Sequence, residues 1–262
     1  MRRVRNVAGV MVVVAMLAGA GRVTAGEGSV WGSQWVGGQQ LPKTFGIGLT
    51  VYEQRQAYKL DRLTIGIPGF DNLPLDRLEI DNRIREVDGQ FDAWLLPFLN
   101  VMLIGGEIDG RTVVDFRNLS LPFPLDRVTV DYTGEVYGGG VNFAGGNERI
   151  FGSVYTLWTR TNLSGDFDSE ADAFVVMPRF GLHDERGAVW LGAMYQQTDE
   201  HHAGIIALPF VGRVPFSVEL SQKHDWNGLV GIHAALDAHF NLELEGGFGD
   251  RRSASATVTW RF

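Results

Sequence analysis

Residues 253–262 read Ser-Ala-Ser-Ala-Thr-Val-Thr-Trp-Arg-Phe and alternate strictly between two kinds of side chain. The even-numbered residues are apolar and end in Trp260 and Phe262, whereas the odd-numbered residues are Ser, Thr or Arg. A period of two predicts a β-strand. An apolar face that ends in aromatic residues is typical of a strand facing lipid in a β-barrel, where aromatic girdles lie at the membrane interface.

This segment resembles the C-terminal assembly signal of bacterial outer-membrane β-barrel proteins, with Val258, Trp260 and Phe262 in the signal positions. The stretches Phe91–Val101 and Gly246–Arg251 resemble sequences of uncharacterised proteobacterial outer-membrane proteins. The resemblance implies an all-β, antiparallel transmembrane barrel in the bacterial outer membrane. It also implies lipid, lipopolysaccharide and the barrel-assembly machinery as partners, and it attaches no activity to the chain.

The N-terminal segment has the layout of a secretory signal peptide. Arg2, Arg3 and Arg5 precede an apolar run from Val7 to Ala20, and small residues up to Ala25 precede Gly26. A retained anchor is the weaker alternative, because the apolar run is shorter than the roughly 20 residues of a spanning helix. We therefore expect residues 1–25 to be a cleaved signal peptide and residues 26–262 to be one barrel domain.

The charge of the expected mature chain limits its partners. Four of the 23 basic residues and none of the 31 acidic residues lie in 1–25, so the remainder carries 19 basic against 31 acidic residues, a net charge of −12. Phosphate neutralisation needs clustered Lys and Arg, so this balance argues against nucleic acid as a partner. The chain has no cysteine, which excludes a disulfide scaffold and thiolate chemistry.

Alternation along the mature chain predicts about ten strands. The clearest are Phe216–Leu236, Phe240–Phe248, Val128–Tyr137 and the C-terminal strand. Outer-membrane barrels of this kind have an even strand number, short periplasmic turns and longer outer loops, and the segments between the predicted strands broadly follow that rule. A twelve-strand barrel is the alternative if Lys59–Ile67 forms its own strand. The weaker candidates are Phe45–Tyr58, Arg83–Leu96, Asn100–Gly110, Glu148–Arg160, Glu170–Leu182 and Ala188–Ala207.

The same alternation predicts which charged side chains face the barrel interior. Because the apolar face of each strand is assigned to lipid, the opposite face is assigned to the lumen. An excess of acids there predicts a hydrated, negatively lined lumen that favours cations. The predicted lumen-facing residues are Asp92, Asp131, Glu135, Arg179, Glu219, Lys223, Glu243, Glu245 and Arg261.

Three classes of function stay open. A narrow, porin-like channel for small cationic or polar solutes is favoured, with a monomer as the expected state. An envelope scaffold or surface-binding barrel without a pore is the first alternative. The second is an outer-membrane hydrolase with Asp/His pairs at its outer rim, at Asp199–His202 and at His224–Asp225. We identify no catalytic residues, no metal site and no cofactor, since neither the spacing of a P-loop nor that of an EF-hand is present.

Overall fold

The computed structural model describes residues 43–66, 78–118, 126–165, 167–208 and 212–262. The predicted signal peptide lies outside the described residues. No helix of the described part is long and apolar enough to cross a membrane. The described residues form eleven β-strands: β1 (Phe45–Ile65), β2 (Glu79–Leu96), β3 (Leu99–Asp115), β4 (Arg127–Gly146), β5 (Ile150–Gly165), β6 (Phe167–His183), β7 (Gly187–Leu208), β8 (Gly212–Gln222), β9 (Trp226–Ala235), β10 (Phe240–Phe248) and β11 (Arg251–Arg261).

The strands form one antiparallel sheet that closes on itself. β1 pairs with β11 from Gly46 opposite Arg261 to Gln56 opposite Arg251. We call the end that carries Phe45 and Phe262 the lower end of the barrel and the opposite end the upper end. Closure satisfies the backbone hydrogen bonds of both outermost strands, which a membrane-spanning sheet requires.

The barrel has ten strands around its lower half and eight around its upper half. β7 pairs with β9 in its lower part and with β8 in its upper part, so β8 and β9 are two halves of one broken strand. The β10–β11 hairpin ends halfway up, and above it β1 pairs directly with β8 from Tyr58 onwards. The predicted ten-stranded barrel is confirmed. The twelve-strand alternative is excluded because Lys59–Ile65 continues β1.

An apolar belt surrounds the lower half of the outer surface. Aromatic residues mark its upper edge about nine residues from the lower strand ends, which is the length of one membrane crossing. The upper-edge aromatics are Tyr137, Trp158, Phe174, Trp226 and Phe248, and those near the lower edge are Phe98, Phe143, Phe240, Trp260 and Phe262. The belt therefore has the height and the aromatic edges of a lipid-facing surface.

The outer surface above the belt is charged. Cross-strand ion pairs cover it, including Arg83–Glu53 at 3.4 Å and Arg160–Asp172 at 2.8 Å. The 21 residues of β1 extend about 70 Å along the strand, at least twice what a tilted span of about 25 Å needs. The upper half of the barrel therefore stands in water.

Three lower turns share one hydrogen-bonding motif. The side chain of Asp237 accepts the backbone N–H groups of His239 and Phe240, at 2.7 and 2.8 Å. Asn147 and Asp184 accept the equivalent pairs of N–H groups in their own turns. Each side chain thus caps a turn that joins two antiparallel strands.

Several predicted loops are strand in the structure. Gly138–Asn147 separates the predicted strands Val128–Tyr137 and Glu148–Arg160, but in the structure β4 continues to Gly146. The predicted outer loops are shortened in the same way, because the strands extend above the membrane: β3 reaches Asp115 and β8 begins at Gly212. The sequence does not predict these extensions, because they are rich in glycine or alternate without an apolar face.

Candidate lumen site

One arginine on β6 joins two carboxylates on β10 inside the lower half of the barrel. Arg179 Nη1 lies 3.2 Å from Glu243 Oε1, and its Nη2 lies 2.9 Å from Glu245 Oε2. Trp190 Nε1 donates a second hydrogen bond to the same Glu245 oxygen at 2.9 Å. The guanidinium also lies over the Tyr155 and Trp190 rings, 5.8 and 5.2 Å from their centres. Opposite charges and ring faces together hold Arg179 in place.

A second ion pair joins β11 to β2. Arg261 Nη1 lies 3.0 Å from Asp92 Oδ1, and Asn100 Nδ2 donates to the same oxygen at 2.7 Å. Asp92 is 1% exposed. A carboxylate this deeply buried needs such partners, because an isolated buried charge is costly.

Two further carboxyls, Glu86 and Asp88, face the lumen from β2 and were not predicted from the sequence. Both side chains line the cavity. Asp88 is 6% exposed, and its Oδ1 has no hydrogen-bond partner within the described part of the chain. A Cβ at Gly106 would lie 2.2 Å from that oxygen, so glycine on β3 makes room for it. The sequence does carry a signal for them: Glu86, Asp88, Gln90 and Asp92 are spaced two residues apart, so they share one face of β2.

A chain of polar side chains crosses the level where ten strands become eight. Arg251, at the tip of the β10–β11 hairpin, is 2% exposed. Its Nε donates to Gln56 at 2.8 Å and its Nη2 donates to Gln222 at 3.0 Å. Gln56 accepts from Gln54 and Gln222 donates to Thr198, so the network joins β1, β11, β8 and β7. These contacts satisfy the polar groups that the ending hairpin leaves inside the wall.

The upper half of the lumen is mainly apolar. A cavity of about 480 Å³ extends from the charged lower half into this region. Asn82 is among the few polar groups of the upper wall, and its Oδ1 accepts hydrogen bonds from the Tyr132 hydroxyl at 2.9 Å and from Thr112 at 3.4 Å. We call this region the upper chamber. The apolar residues that line it are Leu60, Ile80, Ile84, Ile108, Val114, Phe116, Val128, Val130, Tyr132, Leu163, Val218 and Leu220.

The structure divides the predicted lumen residues into two groups. Asp92, Arg179, Glu243, Glu245 and Arg261 line the cavity. The other four side chains lie elsewhere: Asp131, Glu135, Glu219 and Lys223.

The positions of those four correct the prediction. Asp131 and Glu135 are on the outer surface of β4, and Asp131 pairs there with Arg111 at 2.6 Å. Glu219 is on the outer surface of β8, where it pairs with Arg62 at 2.9 Å, and Lys223 is exposed in the break between β8 and β9. The prediction was wrong here because these residues lie above the apolar belt, where the outer surface faces water and the apolar face turns inward.

Val258, Trp260 and Phe262 lie on the outer surface at the lower end, where each is at least 40% exposed. Trp260 and Phe262 stack with their ring centres 4.6 Å apart. This aromatic pair belongs to the lower edge of the apolar belt.

The predicted Asp/His pairs do not converge on one site in the part that the structure describes. His224 Nε2 lies 3.5 Å from Asp250, and both side chains are exposed. The Asp199–His202 run lies within β7, where the structure describes the backbone alone. Among the described residues, no group of three His, Cys, Asp or Glu side chains is placed to hold a metal ion.

A closed antiparallel barrel with an apolar outer belt and aromatic edges is the architecture of a bacterial outer-membrane β-barrel protein. This chain is a protein of that class, and its location is the bacterial outer membrane.

Solved outer-membrane barrels are among the structures to which this chain is similar. The transport unit of the autotransporter AIDA-I from Escherichia coli is 9% identical, with a TM-score of 0.42, over 84% of this chain and 90% of that one. The β domain of the Bordetella autotransporter BrkA is 13% identical, with a TM-score of 0.38, over 84% and 100%. A Pseudomonas aeruginosa FadL homologue is 10% identical, with a TM-score of 0.30, over 84% and 90%. No protein-family model and no curated protein matches the sequence.

Proposed function

We propose that the chain is a narrow outer-membrane channel that passes small cationic or polar solutes. The observation that carries the proposal is the charge of the cavity wall. Glu86, Asp88, Asp92, Glu243 and Glu245 line the cavity, against Arg179 and Arg261. An excess of acids in a confined, water-accessible lumen raises the local concentration of cations and disfavours anions.

The two ion-paired clusters limit what passes. The side chains of Arg179 and Arg261 extend into the lower half from opposite parts of the wall and are held by buried carboxylates. A ten-stranded barrel has little more internal space than an eight-stranded one, which side chains fill. The proposed channel therefore passes single small solutes and not bulky ones.

A surface-binding role is the second candidate, and one observation favours it. The eight-stranded upper half extends above the apolar belt and carries exposed ion pairs such as Arg55–Asp81 and Arg160–Asp172. Such a surface lies among lipopolysaccharide headgroups. We infer that the protein is a monomer inserted by the barrel-assembly machinery, with Val258, Trp260 and Phe262 as its recognition residues.

The test is single-channel conductance of the purified protein in a planar bilayer under a salt gradient. We expect a small, steady, cation-preferring current, and we expect the double variant Glu243→Gln/Glu245→Gln to weaken that preference. Asp131→Asn is the matched control, because it removes the same charge from the outer surface and should leave the preference unchanged. Silence from a barrel shown to be folded would reject the channel and leave the surface-binding role.

A further inference from the structure

The upper chamber differs from an ordinary packed core. Its wall is apolar although the surface on the other side of the same strands is charged, as on β4, where Val128, Val130 and Tyr132 face inward and Asp131 faces water. Packed protein interiors leave few voids larger than one water molecule. The upper chamber is instead part of the cavity of about 480 Å³ that it shares with the charged lower half, and this volume is within the size range of small-molecule sites.

The acidic pair of the same cavity lacks the cation that the other lumen acids have. Asp92, Glu243 and Glu245 each pair with an arginine. Within the described ranges no ion pair includes Glu86 or Asp88, and Asp88 Oδ1 accepts no hydrogen bond. A negative charge held here, largely away from water, is stabilised by any cation that can reach it.

We propose that the upper chamber binds small apolar amines, with the alkyl or aromatic part against the apolar wall and the ammonium group against Glu86 and Asp88. An ammonium group donates three hydrogen bonds and carries the positive charge that this pair lacks, and both carboxyls line the cavity. A calcium ion fits less well, since it requires six to eight oxygen ligands and two carboxyls supply at most four. A neutral apolar molecule would leave the acidic pair without a partner.

This inference names a class of solute for the proposed channel. It rests on the proposed function for the route by which the solute passes, but not for the binding of the solute. Binding can therefore be tested without any current. The full protein is purified in detergent from bacterial outer membranes and titrated calorimetrically with butylammonium and hexylammonium, and with hexanol and hexanoate as uncharged and anionic probes. Empty micelles are titrated as the blank.

We expect the two ammonium ions to bind, with affinity rising roughly fourfold per added methylene group. Hexanol should bind at least about tenfold more weakly than hexylammonium, because it lacks the charge-assisted hydrogen bond. Hexanoate should not bind. Glu86→Gln and Asp88→Asn should each lower hexylammonium affinity about tenfold, whereas Asp131→Asn should leave it unchanged.

A second variant tests the apolar wall. Val130→Thr keeps the shape of the side chain and adds a hydroxyl to the chamber, so it should lower the affinity for hexylammonium more than that for butylammonium. The folded state of each variant is checked by its heat-modifiable mobility on a gel. Equal binding of hexanol and hexylammonium, or an unchanged affinity in folded Asp88→Asn, would overturn the inference. Amine binding in a barrel that carries no current would instead reject the channel and keep the binding site.

Discussion

Phe45 and Phe262 hydrogen-bond to each other in both directions through their backbones. Phe45 N donates to Phe262 O at 3.2 Å, and Phe262 N donates to Phe45 O at 3.0 Å. Their rings lie 5.9 Å apart, and Phe45 also stacks on Phe91. The first described strand and the last residue thus form the bottom of the seam that closes the barrel.

Removing Phe262 should reduce the amount of closed barrel. The deletion removes two backbone hydrogen bonds and the aromatic stack with Trp260 at the point of closure. We expect less heat-modifiable, folded protein in the outer membrane at equal expression. Phe248→Ala is the control, because it removes an exposed aromatic at the upper edge of the belt, away from the seam. An equal yield for the deletion and the control would contradict this role.

Arg179→Met should destabilise the lower lumen strongly. It leaves Glu243 and Glu245 without their shared cation in a largely buried site, and breaking a buried ion pair typically costs about 3–5 kcal/mol. Urea unfolding in lipid bilayers measures the change in the free energy of unfolding. Adding Glu245→Gln to Arg179→Met should restore part of the loss, because it removes one of the uncompensated charges. Arg111→Met, at the exposed pair with Asp131, should change stability little.

Gly231→Ala should displace Trp190. A Cβ at position 231 would lie 2.3 Å from ring atoms of Trp190, whose Nε1 is bonded to Glu245. Overpacking of this kind costs about 1–3 kcal/mol of unfolding free energy. Gly152→Ala is the matched control, since a Cβ there would lie 3.9 Å from its nearest neighbouring atom, the Arg179 carbonyl oxygen. Tryptophan fluorescence should change in Gly231→Ala and not in the control.

The upper end of the barrel should lose stability in acid through Asp115. The Arg117 guanidinium, with Arg127, holds the pKa of this carboxyl well below its usual range. Because the pKa of Asp115 is lower in the folded state, its carboxylate stabilises the protein at pH values above the unfolded-state pKa of about 4. This contribution disappears as the pH falls through the unfolded-state pKa towards the folded-state pKa. Melting temperatures measured from pH 6 down to pH 2 should therefore converge for the wild type and Asp115→Asn. A constant difference across this range would exclude the effect.

Protein extracted from the outer membrane should begin at Gly26. Intact-mass measurement checks this, because cleavage after Ala25 removes residues 1–25 and all four of their arginines. Ala25→Phe should block cleavage by replacing the small residue at the cleavage site. A mature wild-type protein that retains its N-terminal segment would support the retained-anchor alternative.

Alternation predicted a ten-stranded barrel but neither the full length of the strands nor which face of each strand is inside. In β10, Glu243 and Glu245 face the lumen because lipid lies outside. In the upper part of β4 the same period places Asp131 outward, because water lies there. The period is identical in both strands. What decides the direction is the height of a residue relative to the membrane, which depends on strand length and pairing and not on local pattern.

Pairing between strands distant in sequence explains the other differences between the prediction and the structure. Phe216–Leu236 reads as one continuous strand, yet even-numbered residues face inward at Leu220 and outward at Trp226. The break at 223–225 changes the face, and it lies where β8 leaves β1 and the β10–β11 hairpin begins. Glu86 and Asp88 were missed for a related reason. β2 carries charge on both faces at this height, so its alternation has no apolar side to follow.

The double pairing of β1 has a consequence for the order of assembly. Its lower part needs β11 and its upper part needs β8, so the edge of β1 that faces them stays open until both strands have been synthesised. Contacts between residues so far apart in sequence form slowly, and an unpaired strand edge can join another chain in the meantime. Protection of that edge during secretion is therefore a requirement that the topology itself imposes on whatever inserts this barrel.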